Sequence, residues 1–122
     1  MGFFSSGSNM GRIPWQLLKN IETFDDLIRL SSDIPVMLFK HSTRCSISVM
    51  AKQRLESKWD FSSEEIIPVY LDLLSYRNVS NEIADRLQVT HQSPQVILMK
   101  NGRGVYHASH NQISVGDLKQ NL

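Results

Sequence analysis

The chain has 122 residues, of which 41% are hydrophobic and 20% charged, the size and composition of one globular domain. Thirteen basic and twelve acidic side chains leave a net charge of +1, which lacks the concentrated positive charge that binding to a phosphate backbone requires. No apolar run approaches the roughly 20 residues needed to cross a bilayer, and no secretion signal marks the first residues. We therefore expect a cytoplasmic protein with neither nucleic acid nor membrane as a partner.

Residues 1–11 are rich in glycine and serine without periodicity, which predicts a flexible tail ahead of one domain over residues 12–122. A short apolar pattern over residues 15–19 predicts a first strand. Apolar residues at helical spacing then follow Thr23, which is predicted to cap that helix.

A nearly continuous apolar run over residues 34–39 predicts a central strand covered on both faces. Apolar residues at spacings of three and four follow Cys45 and predict a helix that starts close to it. A second buried strand is predicted over residues 66–71, although its Pro68 has no amide for the ladder, which counts against a fully central position.

The last part of the chain predicts a helix over residues 79–87, a hairpin and a short helix. Strands at residues 95–100 and 104–107 flank Asn101-Gly102, a strong hairpin signal. Ser114 opens the final helix. The order β-α-β-α-β-α-β-β-α predicts an α/β thioredoxin-like fold, a central mixed sheet flanked by helices.

Cys45 is the only cysteine, so neither an internal disulfide nor a dithiol mechanism is open to this chain. Its predicted place at a strand-to-helix junction favours reactivity, because the amides and dipole of a helix N-terminus stabilise an anion and the thiolate is the attacking species. Arg44 adds a positive charge and Ser48 lies about one turn away, so both are predicted to stabilise the thiolate.

Ser48 also stands where a resolving cysteine would be, in the pattern C-x-x-S. A mixed disulfide on Cys45 therefore cannot be released from within the chain and has to be attacked by an external low-molecular-weight thiol.

Three other interpretations are open. Lone cysteines are usually small buried apolar residues, and a thioredoxin-like chain with one cysteine can serve as a non-catalytic protein-binding module. A metal site is the third, because His41 lies four residues before Cys45 and His107 and His110 form an H-x-x-H pair. We rank it well below redox chemistry, since no acidic residue completes the set by spacing.

Three segments together resemble the YtxJ-like family of monothiol bacilliredoxins: HSTRCSIS at residues 41–48, YRNVSNEIA at 76–84 and HQSPQ at 91–95. The resemblance implies a thioredoxin-like fold with Cys45 at a helix start and Pro94 in the cis form beside it. Ser93, Pro94, Thr43 and His91 are implied to recognise the disulfide substrate. One departure is that Arg44 and Ser46 replace the threonine and proline of the T-C-P-I-S that family members commonly carry.

The activity implied by the resemblance is removal of bacillithiol from S-thiolated client proteins. Cys45 would attack the mixed disulfide, take bacillithiol onto itself and release the client thiol, and a second bacillithiol would regenerate it. The implied partners are client proteins, bacillithiol as co-substrate and a reductase that recycles it, with no tightly bound cofactor and no metal. Another small thiol such as coenzyme A can serve the same chemistry, and we expect a monomer.

Overall fold

A computed structural model describes residues 13–122. The predicted tail and Arg12 lie outside this part of the chain. In chain order the elements are β1 (Gln16–Leu17), α1 (Ile21–Leu30), β2 (Val36–His41), α2 (Ser46–Lys58), β3 (Ile67–Asp72), α3 (Arg77–Leu87), β4 (Gln95–Lys100), β5 (Arg103–Ser109), a 3-10 turn (His110–Gln112) and α4 (Val115–Gln120). This order confirms the predicted fold class.

The strands form one mixed sheet in the order β1-β3-β2-β4-β5. β3 runs parallel to β1 and β2, while β4 is antiparallel to β2 and to β5. β2 lies in the middle and all six of its residues are buried. Because of these directions, β2 and β3 end where β4 begins, and we call this side of the sheet the carboxyl edge. The loop after β2 and the loop before β4 therefore meet there.

Helices cover both faces of the sheet, because side chains alternate from one face of a strand to the other. On one face α2 and α4 pack over a buried cluster that includes Trp15, Phe39, Leu55, Leu98 and Leu118. On the opposite face α1 and α3 pack over a second cluster that includes Phe24, Leu27, Leu38, Ile83 and Ile97. The two clusters together form the hydrophobic core of one domain, with one cluster on each face of the sheet.

Several predicted boundaries differ from the structure by one to three residues, and the differences at α1 and β2 change which residues have structural roles. The cap of α1 is Asn20, whose side chain accepts a hydrogen bond from the Thr23 N–H at 2.8 Å, so Thr23 lies inside the first turn. β2 begins and ends two residues later than the apolar run, and its last two residues are Lys40 and His41. Both side chains are buried, which the pattern of apolar residues did not indicate.

Two other features of the sheet agree with what the sequence indicates about Asn101-Gly102 and Pro68. The hairpin between β4 and β5 turns at Asn101 and Gly102, where φ is +52° and +74°, as a tight two-residue turn requires. Pro68 is tolerated in β3 between two neighbours, because β1 pairs only with Val69 and Tyr70 and so leaves the Pro68 position free on that side.

Candidate redox site

Cys45 lies at the carboxyl edge as the N-cap residue of α2, with extended backbone angles of φ −108° and ψ 117°. Its N–H donates to the Ser42 carbonyl at 3.2 Å, and its own carbonyl accepts from the Val49 N–H at 3.0 Å as the first bond of the helix. The residue is half-buried, and within residues 13–122 its sulfur has no hydrogen-bond partner. The thiol is thus placed where the unpaired amides of α2 begin.

Ser48 is fully buried and its hydroxyl contacts the end of β2. The Ser42 N–H donates to Ser48 Oγ at 3.1 Å, and His41 Nδ1 lies 2.6 Å from the same oxygen. Because Oγ already accepts from Ser42, the hydroxyl hydrogen is directed at His41 Nδ1 when that nitrogen is unprotonated. The Ser48 hydroxyl therefore joins the first turn of α2 to β2 rather than bonding to the Cys45 sulfur.

His41 is 3% exposed and its surroundings favour the neutral imidazole. Burial lowers its pKa below the ordinary 6.5, and the nearby Lys52 lowers the pKa further, while Asp72 and Glu56 oppose the shift. The His41 ring packs against Phe39 and Tyr70 with centroids 5.4 Å from each. A neutral His41 can accept the Ser48 hydrogen. The backbone hydrogen bond at Ser48 acts against burial, because it raises the pKa of His41.

The Ser93–Pro94 peptide bond is cis, the isomer that the resemblance implies. Gln95 pairs with Lys40 across β4 and β2, which brings the loop of residues 91–94 to the carboxyl edge beside the loop that carries Cys45. The Pro94 carbonyl accepts from the His110 N–H at 3.1 Å. Pro94 is buried, and Ser93 is partly exposed.

The remaining predicted residues lie at the same edge with different exposure. Thr43 and Arg44 are exposed in the turn before Cys45, and within the described part of the chain Arg44 forms no ion pair. His91 is partly exposed. Their roles toward the thiolate and the substrate remain predictions.

Lys40 is the buried residue at this site that the sequence reasoning missed. Its Nζ lies 3.3 Å from the Ser80 carbonyl and 3.3 Å from His91 Nδ1. Burial, helped by the Arg77 charge, lowers the pKa of Lys40 to about 8. The sequence gives no local signal for its burial, because Lys40 follows the predicted apolar strand of residues 34–39.

An apolar surface borders Cys45 on α2. Ile47 is 49% exposed and Met50 58% exposed, and both line a shallow groove of about 290 Å³ together with Arg54, His110 and Asn111. Arg54 connects α2 to the segment after β5, because its guanidinium donates hydrogen bonds to the carbonyls of His110 and Ile113 at 2.8 and 3.3 Å. Exposed apolar side chains next to a reactive residue are typical of a surface that contacts a partner.

Across residues 13–122 no three His, Cys, Asp or Glu side chains are grouped as a metal site would require. His41, one member of the alternative metal set, is hydrogen-bonded to Ser48 instead. In the same part of the chain no helix is long and apolar enough to cross a membrane.

This chain is similar in sequence and fold to known redox proteins. The family model for the monothiol bacilliredoxin BrxC matches residues 16–118. A solved structure assigned as an oxidoreductase with a thioredoxin fold is 29% identical, with 86% of this chain and 90% of that chain covered and a TM-score of 0.71.

Two thioredoxins extend the structural comparison. The thioredoxin from Trypanosoma brucei brucei is 18% identical over 86% of this chain and 84% of its own, with a TM-score of 0.64. The thioredoxin from Fasciola hepatica is 16% identical over 85% of this chain and 92% of its own, with a TM-score of 0.62. At this identity the two matches show the fold alone.

Proposed function

Because the chain belongs to the monothiol bacilliredoxin family, we propose that it removes bacillithiol from client proteins through a mixed disulfide on Cys45. Family and fold make it a thiol-disulfide oxidoreductase. The observation that carries the finer proposal is the placement of the only cysteine at the N-terminus of α2, beside the loop that contains cis-Pro94. The amides there stabilise the attacking thiolate.

The reaction takes two exchange steps. The Cys45 thiolate attacks the bacillithiol sulfur of the mixed disulfide, a new disulfide forms between Cys45 and bacillithiol, and the client leaves as a thiolate that is protonated by solvent. A second bacillithiol thiolate then attacks the disulfide on Cys45, which releases the Cys45 thiolate and oxidised bacillithiol. Over the cycle one mixed disulfide and one bacillithiol give one client thiol and one bacillithiol disulfide, so a bacillithiol reductase in the cytoplasm has to recycle the product.

The second thiol has to come from outside because Ser48 replaces a resolving cysteine. Its hydroxyl is occupied by Ser42 and His41, so it serves to hold the helix start in place. Arg44, exposed in the preceding turn, adds positive charge near the sulfur.

The mixed-disulfide substrate has a surface to contact on each side of Cys45. The backbone at Ser93 is positioned by cis-Pro94 and by the bond from His110 to the Pro94 carbonyl. On the other side of Cys45 the apolar Ile47 and Met50 are exposed. Thr43 is exposed in the turn before Cys45 and His91 is partly exposed in the loop before Pro94, so we assign both to substrate recognition.

Intact-mass spectrometry tests this function. The reduced protein is mixed with a bacillithiolated client, and the expected result is loss of bacillithiol from the client with one bacillithiol gained by the protein, reversed by added free bacillithiol. The Cys45→Ser variant is the matched control and should do neither. A wild-type protein that stays folded and unmodified while the client remains blocked would exclude the proposed activity.

A further inference from the structure

A cluster of three basic side chains lies at the carboxyl edge, next to the loop before cis-Pro94. We call Lys40, Arg77 and His91 the basic cluster. Lys40 is at the end of β2, Arg77 is the first residue of α3, and His91 lies three residues before Pro94. The cluster is on the α3 side of the sheet, opposite the apolar groove of Ile47 and Met50.

Hydrogen bonding fixes which nitrogen of His91 can face a ligand. The Lys40 ammonium has only hydrogens to donate, so His91 Nδ1, 3.3 Å away, has to accept. Ser80 Oγ lies 3.3 Å from the same nitrogen. The His91 hydrogen is therefore on Nε2, on the far side of the ring from the buried Lys40, in a side chain that is partly exposed.

No acidic side chain of the part of the chain that the structure describes is paired with the basic cluster. Within residues 13–122 none of its three members forms an ion pair. The Asp72 carboxylate, at the end of β3, is engaged by the Leu74 N–H and the Ser75 hydroxyl. Lys40 is 0% exposed and bonds only to neutral groups, an arrangement that is costly unless an anion comes close.

We propose that Arg77 and His91, supported by the buried Lys40, bind the carboxylate or phosphate group of the small thiol in the mixed disulfide. This inference rests on the proposed function and adds a substrate feature to it. Arg77 supplies an exposed guanidinium, His91 supplies an Nε2–H, and Lys40 supplies a fixed charge behind both. Bacillithiol carries carboxylates and coenzyme A carries phosphates, so both have a group of the required charge.

Such a site determines which sulfur Cys45 attacks. A disulfide has two sulfurs, and the products depend on which one the thiolate reaches. If the anionic end of the small thiol is held beside the Pro94 loop, its sulfur lies toward Cys45 and the client sulfur lies outward. Attack then joins Cys45 to the small thiol and releases the client, whereas the opposite attack would trap the client on the protein.

The experiment uses one client protein carrying three different small thiols in turn: bacillithiol, coenzyme A and the neutral 2-mercaptoethanol. Removal rates are measured for the wild type, Arg77→Gln and Arg103→Gln. Arg77 is exposed, so its replacement leaves the core intact. Arg103 is the matched control, since it is exposed at the first residue of β5, at the opposite edge of the sheet.

We expect Arg77→Gln to raise KM about tenfold for the anionic thiols and to leave 2-mercaptoethanol removal within about twofold, as the loss of one charge-assisted contact predicts. Arg103→Gln should match the wild type. Comparison of bacillithiol with coenzyme A shows whether carboxylate or phosphate is preferred. An equal loss on all three thiols, or no loss, overturns the inference, as does a covalent intermediate that carries the client instead of the small thiol.

A direct binding measurement separates failure of this inference from failure of the proposed function. Reduced bacillithiol and coenzyme A are titrated into the protein, and the His91 imidazole resonances are followed by NMR. Shifts that saturate in the wild type, weaken about tenfold in Arg77→Gln and are absent with 2-mercaptoethanol support the anion site even if no client is turned over. Absence of such shifts in the wild type overturns it.

Discussion

Replacing Ser48 with alanine tests the buried link between α2 and β2. The substitution leaves two buried groups without a partner, the Ser42 N–H and His41 Nδ1, which are 3.1 and 2.6 Å from Ser48 Oγ. An unsatisfied buried polar group costs about 1–3 kcal/mol, so the pair should lower the free energy of unfolding by about 2–6 kcal/mol. At about 4 °C per kcal/mol for a chain of this length, Tm should fall by roughly 8–24 °C.

Urea unfolding followed by circular dichroism measures this loss, and Ser46→Ala is the matched control. Ser46 is the first residue of the same helix, but it is exposed and its hydroxyl makes no hydrogen bond within the described part of the chain. Its substitution should change the free energy of unfolding by no more than about 0.5 kcal/mol. If Ser48→Ala is no more destabilising than Ser46→Ala, the hydrogen-bond assignment at His41 is incorrect.

The other predictions concern titration and the missing second thiol. Burial lowers the pKa of His41 below 6.5, and burial together with the Lys40 charge lowers the pKa of His91. The unfolded chain therefore binds protons more readily than the folded chain. The free energy of unfolding should fall as the pH drops below 6.5. In urea titrations His41→Asn should flatten that fall, and an unchanged slope would contradict the assignment. The pKa of Lys40 is about 8 in the folded chain and 10.5 in the unfolded chain. The free energy of unfolding should therefore increase by up to about 3 kcal/mol as the pH rises from 8 to 10.5, and Lys40→Met should lose this increase. Ser48→Cys should let a mixed disulfide on Cys45 resolve within the chain, so mass spectrometry should find an internal disulfide without added thiol; a persistent mixed disulfide would count against Ser48 holding the resolving position.

The order of elements was predictable because each carries a local signal. The hairpin follows from Asn101 and Gly102, which readily adopt positive φ, and the helix after Cys45 follows from its apolar spacing. The cap of α1 was missed because Asn20 and Thr23 are both good capping residues, and only the structure shows which of them accepts the bond.

The polar interior of the site was not predictable from local patterns. Lys40 and His41 extend β2 past its apolar run, and their burial depends on partners 40 and 7 residues away, Ser80 and Ser48. The direction of the Ser48 hydroxyl was missed for the same reason, since spacing places it near Cys45 while the hydrogen bonds turn it toward β2. Tertiary contacts of this kind leave no periodic signature in a sequence.

The aromatic stack along β2 gives the protein an internal optical reporter. Trp15 stacks on Phe39 with centroids 5.5 Å apart, and Phe39 in turn contacts the His41 ring. Tyr70 touches all three rings. The indole of Trp15 therefore lies two rings from the residue that orients Ser48. With the second tryptophan removed as Trp59→Phe, changes at the base of α2 can be followed by emission intensity, with no need to introduce a dye through a second cysteine.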